Sequence, residues 1–159
     1  DKCFVVDTPQ ELLHCKVNEP FSAQTQFKLF GSIPLPAEFL VGFAYQNLSG
    51  PNYAANLYYP TSTLRFKNGR TALANRGSGV MVPLVGDDEL YGGRISRLDI
   101  RASKVINYGR LRFQLNFDAY NLMNTSDIRS INGAYGSRWG YPNTIIDPRL
   151  LQFGGQIDF

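Results

Sequence analysis

The sequence predicts an all-β fold: an antiparallel meander of about five strands that forms the C-terminal segment of a large transmembrane β-barrel with short periplasmic turns and long extracellular loops. Three observations predict it. Five stretches alternate apolar and polar residues with period two, the signature of strands with one greasy and one wet face. The connections between them run short, long, short, long, the asymmetry of outer-membrane barrels. The longest apolar run, Val80 to Val85, is broken by Pro83 and falls far below the roughly 18 residues of a membrane-spanning helix.

Residues 1–24 read as an extracellular loop, rich in Pro and polar residues and carrying both cysteines. Cys3 and Cys15 bracket a short polar stretch without the His and Cys partners of a zinc site. A loop-closing disulfide is expected, and with it an oxidising compartment. The first hairpin is expected over 25–47. Phe27, Leu29, Gly31 and Ile33 share one face of its first strand, and Phe39, Val41, Phe43 and Tyr45 share one face of its second. Pro34 and Pro36 force the turn between them, since proline donates no ladder hydrogen bond.

Residues 48–93 read as a long loop, with Ala54 to Leu64 and Val80 to Val85 as possible strand extensions. The second hairpin is expected over 94–122 and is the clearest. Leu98, Ile100 and Ala102 oppose Arg97, Asp99, Arg101 and Ser103; Leu111, Phe113, Leu115, Phe117 and Ala119 oppose Arg112, Gln114, Asn116, Asp118 and Tyr120. Ile106 to Gly109 supplies its turn, with Asn and Gly tolerating positive φ. After a further loop over 123–148, a closing strand over 149–159 places Leu151, Phe153, Gly155, Ile157 and Phe159 on one face. A soluble sandwich explains the alternation equally well but gives no reason for the loops to be sorted. Five strands are too few to close a barrel, for which about eight is the minimum. With Asp1 in place of an initiator Met and no leader pattern, the chain is expected to be one piece of a longer protein.

Composition narrows the function classes. A hydrophobic content of 43% with 18% charged residues fits a folded chain rather than a disordered one. The net charge of +3 is small and the basic residues are scattered, so nucleic acid is not an expected partner. Asp87, Asp88 and Glu89 lack the alternating oxygen spacing of a calcium loop, and they read as solvated loop charge. His14 is the single histidine and has no nucleophile in a recognisable frame, so no enzyme activity and no cofactor are expected. Tyr135, Trp139 and Tyr141, with Tyr53, Tyr58 and Tyr59, have two readings: a stacking surface for a ligand, or a girdle or self-packed cluster within the loops. Asp147-Pro148-Arg149 reads as a turn into the last strand.

The stretches RISRLDIRASKVINYGRLRFQLNFDAYNLMN and YPNTIIDPRLLQFGGQIDF, and more loosely CFVVDTPQELLHC and the VPLV segment, resemble the C-terminal part of an Oar-like TonB-dependent outer-membrane receptor barrel. The resemblance implies a barrel of about 22 strands around an N-terminal plug. It also implies localisation to the bacterial cell outer membrane, and uptake of an unidentified ligand energised through the TonB complex by a part of the protein not contained here. Leu151, Phe153, Ile157 and Phe159 are then the insertion signal for the barrel-assembly machinery. Arg97, Asp99, Arg101, Arg112, Gln114, Asn116 and Asp118 face the lumen, and the outer face meets lipid. The isolated segment is not expected to transport. A secreted β-sandwich that binds glycans or acts in adhesion is the competing class.

Overall fold

The computed structural model describes residues 11–70 and 78–159. A 3-10 turn at Glu11–His14 and a single helical turn, α1 (Phe21–Gln24), precede the strands. The strands are β1 (Phe27–Leu35), β2 (Phe39–Leu48), β3 (Asn56–Pro60), β4 (Gly79–Pro83), β5 (Ile95–Tyr108), β6 (Leu111–Tyr120), β7 (Ile128–Ile131), β8 (Pro142–Ile145) and β9 (Leu150–Asp158). The five alternating stretches form one antiparallel sheet in the order β1-β2-β5-β6-β9, with β3-β4 and β7-β8 as separate two-stranded ribbons. The main sheet is open, with β1 and β9 as its edges.

Register carries the alternation across all five strands. One row runs Gly31, Phe43, Ile100, Ala119, Leu151, and the next runs Ile33, Val41, Ala102, Phe117, Phe153. Phe117 and Phe153 meet ring to ring at 5.1 Å. Along these two rows apolar residues meet apolar or small ones, which gives the sheet a greasy face, and a slip of one residue in any strand would break it. Among the described residues no second layer covers that face: Phe153 is 79% exposed, Leu29, Ile33, Leu115, Leu151 and Ile157 are also exposed, and Val41, Phe43, Ile100 and Phe117 between them are half-buried. The only buried apolar residues among those described are Ala55, Ala119 and Ile146.

The two short turns are built differently. Between β1 and β2, Ala37 (φ 61°) and Glu38 (φ 60°) both take the left-handed conformation, which costs a residue with a Cβ roughly 1–2 kcal/mol. The neighbouring strand holds them there: Val105 N donates to the Glu38 carbonyl at 3.1 Å, and the Lys104 ammonium reaches the Ala37 carbonyl. Asn107 Nδ2 donates to the Glu38 carboxylate at 3.0 Å. Between β5 and β6 the turn lies later than Ile106 to Gly109. The strand continues to Tyr108, which pairs with Leu111, and Gly109 (φ 61°) with Arg110 makes a two-residue link. Ile106 pairs with Phe113 on the apolar face, so opening the hairpin earlier would unpair both.

The long connections are not extensions of the main strands. Asn56 to Pro60 pairs with Gly79 to Pro83, and Ile128 to Ile131 pairs with Pro142 to Ile145. The two connections also join each other: Asn56 N donates to the Gly133 carbonyl at 2.8 Å, and Tyr135 N donates to the Asn56 carbonyl at 2.8 Å. Glycine permits another close approach, since a Cβ on Gly50 would stand 2.1 Å from the Gly92 carbonyl oxygen.

Candidate functional site on the polar sheet face

The face opposite the apolar rows carries Arg97, Asp99, Arg101 and Ser103 from β5 with Arg112, Gln114, Asn116 and Asp118 from β6, as their parity demands. Cross-strand register sets Arg101 opposite Asp118, and Ser103 opposite Asn116. Arg101 and Asp118 form an ion pair, with a second contact from Nη2 to Oδ2 at 3.1 Å. Ser103 Oγ donates to Asn116 Oδ1 at 2.8 Å, and Gln114 Nε2 donates to the same oxygen at 3.1 Å. Arg97 Nε donates to Asp99 Oδ1 at 2.8 Å. Each buried carboxylate or amide is thus answered by a neighbour, and no described buried side chain lacks a hydrogen-bond partner.

Small residues on β2 leave a groove in this face. Gly42 and Ala44 form its floor, Phe30 its wall on the β1 side, and Arg101, Asp118 and Tyr120 the wall opposite. Its volume is about 510 Å³. Phe30 is 80% exposed on this face, which also carries Leu40, Leu48, Ile95 and Val105 among its polar residues.

Two clusters missed in the sequence fix the end of the sheet where the long connections begin. Asn121, buried and left-handed at φ 47°, donates from Nδ2 to the carbonyls of Thr125 and Asp147, both at 2.9 Å. Its Oδ1 accepts from Thr125 N at 3.1 Å, and its own N–H donates to Asp99 Oδ1 at 2.8 Å. The second cluster centres on Arg94, whose guanidinium contacts Asn47 Oδ1 (2.6 Å) and the carbonyls of Ser22 (2.5 Å) and Thr25 (2.9 Å). Asn47 Nδ2 in turn donates to Ser96 Oγ at 2.6 Å. Asn47 and Ser96 pair on the apolar side, so this cluster is a polar border to the greasy face. Side-chain contacts to distant carbonyls leave no periodic trace, which is why alternation did not reveal them.

The loop aromatics divide between packing and exposure. Trp139 lies 6.2 Å from Tyr53 and 5.8 Å from Tyr135, and its Nε1 donates to the Ala54 carbonyl at 3.1 Å. Trp139 therefore ties the two long connections together. Tyr135 and Tyr141 remain exposed, at 52% and 62%. In the acidic cluster, Asp88 Oδ1 accepts from Asn52 and Glu89 Oε2 accepts from Gly86 N, so these groups brace a loop. No described group of acidic, His and Cys residues has the arrangement of a metal site. His14 Nδ1 lies beside Gly86. Cys15 is not a free cysteine, and Cys3 lies outside the described residues.

Leu151, Phe153 and Ile157 share the apolar face of β9, paired with Ala119, Phe117 and Phe113, and Phe159 follows fully exposed. No family model, curated protein or solved structure matches this chain.

Proposed function

We propose that the chain is a wall segment of an outer-membrane β-barrel of the TonB-dependent receptor class, serving uptake of a ligand across the bacterial outer membrane. The observation that carries this reading is the uncovered apolar face spanning five hydrogen-bonded strands, with a paired polar face behind it. A soluble sandwich needs a second sheet about 10 Å away across that face. Neither two-stranded ribbon forms such a layer: the sheets are separate, and Leu29, Ile33, Leu115, Leu151, Phe153 and Ile157 stay exposed.

The dimensions agree with a membrane wall. On β5 the outward residues run from Ser96, in the polar border, through Leu98, Ile100, Ala102, Lys104 and Ile106 to Tyr108. That span measures about 40 Å along a strand, or roughly 30 Å along the normal at a tilt of 35–45°, enough for an apolar band of about 25 Å and its rims. Lys104 fits the rim: its ammonium sits 4.4 Å from the Phe39 ring centroid and turns to the Ala37 carbonyl, as a snorkelling lysine does. In this reading Arg97, Asp99, Arg101, Arg112, Gln114, Asn116 and Asp118 line the lumen. Phe30 and the groove beside it face the plug, and Leu151, Phe153, Ile157 and Phe159 serve the assembly machinery. A Cys3–Cys15 disulfide closes the first loop outside the cell, and the ribbons carrying Tyr135, Trp139 and Tyr141 stand on the ligand's approach.

The test is fractionation of the intact parent protein. It is expected to stay with outer membranes through a high-salt wash and to migrate faster unboiled than boiled on a detergent gel. A parent released into the soluble fraction overturns the proposal.

A further inference from the structure

Near the long connections, the polar face holds a second, smaller recess of about 270 Å³. Its floor is Leu48 and Ile95, which pair across β2 and β5, with Gln46 and Arg97 beside them. Arg129 from β7 and the Ile146-Asp147 pair cover it from the last connection. The cover is held in place: Ile146 N donates to the Asp127 carbonyl at 2.9 Å, and the buried Asn121 amide holds the Asp147 carbonyl.

The charges of this recess are unevenly matched. Arg97 is paired with Asp99 at 2.8 Å, whereas Arg129 and Asp147 form no ion pair among the described residues, either with each other or with a third group. Two unpaired charges of opposite sign therefore border one apolar floor. A simple anion entering here meets Asp147, and a simple cation meets Arg129, so each is penalised by one of the two. A ligand carrying both charges satisfies both. The volume lies just below the 300–1,000 Å³ typical of sites for drug-sized molecules, which limits the ligand to about the size of one amino acid.

We infer that this recess binds a small zwitterion with an apolar side chain, of the α-amino acid class. Arg129 receives the carboxylate, Asp147 the ammonium, and Leu48, Ile95 and Ile146 the side chain. The inference rests on the uptake reading above and gives it a substrate class.

The experiment uses the intact parent protein in detergent micelles and L-leucine as the probe, with leucinamide lacking the carboxylate and N-acetyl-leucine lacking the ammonium. Calorimetry is expected to show leucine binding more tightly than either analogue. Arg129→Gln should weaken leucine about tenfold or more, the effect of losing one charge-assisted contact, while leaving leucinamide unchanged. Asp147→Asn should weaken leucine similarly and leave N-acetyl-leucine no weaker. The inference is overturned if leucine does not bind at about 10 mM, a range far weaker than ordinary sites, if both variants bind it like the wild type, or if N-acetyl-leucine binds as tightly as leucine. Membrane retention and the gel shift, read on the same preparations, keep the two proposals apart. Failure of leucine binding in a heat-modifiable membrane protein removes this site alone, and a soluble parent removes the barrel.

Discussion

Asn121 concentrates more structural roles than any residue the alternation singled out. It ends β6 in a left-handed conformation that Asn tolerates better than most residues, and it satisfies four polar partners from β5 and the last long connection. Asn121→Ala keeps the backbone N–H contact to Asp99, strands the Thr125 N–H and two carbonyls, and adds strain at positive φ. A loss of about 1–3 kcal/mol is expected from the unsatisfied groups. Urea unfolding of the parent in micelles measures it, and Asn121→Gly, which removes the side chain without the φ penalty, separates the two causes. At this scale the sequence was partly legible. Parity placed Arg97, Asp99, Arg101 and Asp118 on one face correctly, because a strand has only two faces. The roles of Arg94 and Asn121 depend on carbonyls brought in from Ser22, Thr25 and Asp147, and nothing local signals such contacts.

Strands longer than about eight residues are plain in the sequence; of the short ones, β3 and β4 fall in the stretches read as possible extensions of the main strands, and β7 and β8 leave no signal. The strands β1, β2, β5, β6 and β9 each repeat the alternation often enough to be read, but β7 and β8 offer four residues apiece, and proline lies at an end of β3, β4 and β8. These ribbons exist because the connections pair with themselves and then with each other through Asn56, Gly133 and Trp139, a tertiary arrangement with no period. The end of the second hairpin was misplaced because Ile106-Asn107-Tyr108 contains turn-forming Asn, yet pairing of Ile106 with Phe113 outweighs that preference. On the barrel reading, β9 has one side toward lipid and one toward the lumen. Neighbouring residues Phe153 and Gln152 lie on opposite faces, paired with Phe117 and Asp118. In a parent stripped of its native tryptophans and placed in vesicles containing brominated lipid, Phe153→Trp fluorescence should be strongly quenched and Gln152→Trp fluorescence little affected. Equal quenching at both positions contradicts a lipid-facing side. In the same system Phe153→Arg should destabilise by about 2–4 kcal/mol if Phe153 lies near mid-bilayer, the measured range for arginine on a lipid-facing wall.

The whole chain exposes far more surface than a compact protein of its mass. Its accessible area is 11732 Å² at 17.8 kDa, whereas a compact monomer of that mass exposes about 8,000 Å². The difference follows from a main sheet without a second layer and, among the described residues, an apolar core of only Ala55, Ala119 and Ile146. Produced alone in aqueous buffer, the chain is therefore expected to bind a hydrophobic dye strongly and to elute as large aggregates, with detergent suppressing both. A monomeric, dye-silent elution would show that the apolar face finds cover within the chain. The alternation fixed which face is greasy; it carried no information on whether another layer covers that face, because a core strand and a wall strand have the same period.

The open sheet also sets a rule of parity. Because β1, β2, β5, β6 and β9 alternate in direction, its first and last strands run the same way. Joining those edges directly would make a parallel pair in an otherwise antiparallel wall. On the barrel reading proposed above, an odd number of further strands would stand between them, giving the closed ring an even total, as bacterial single-chain barrels have.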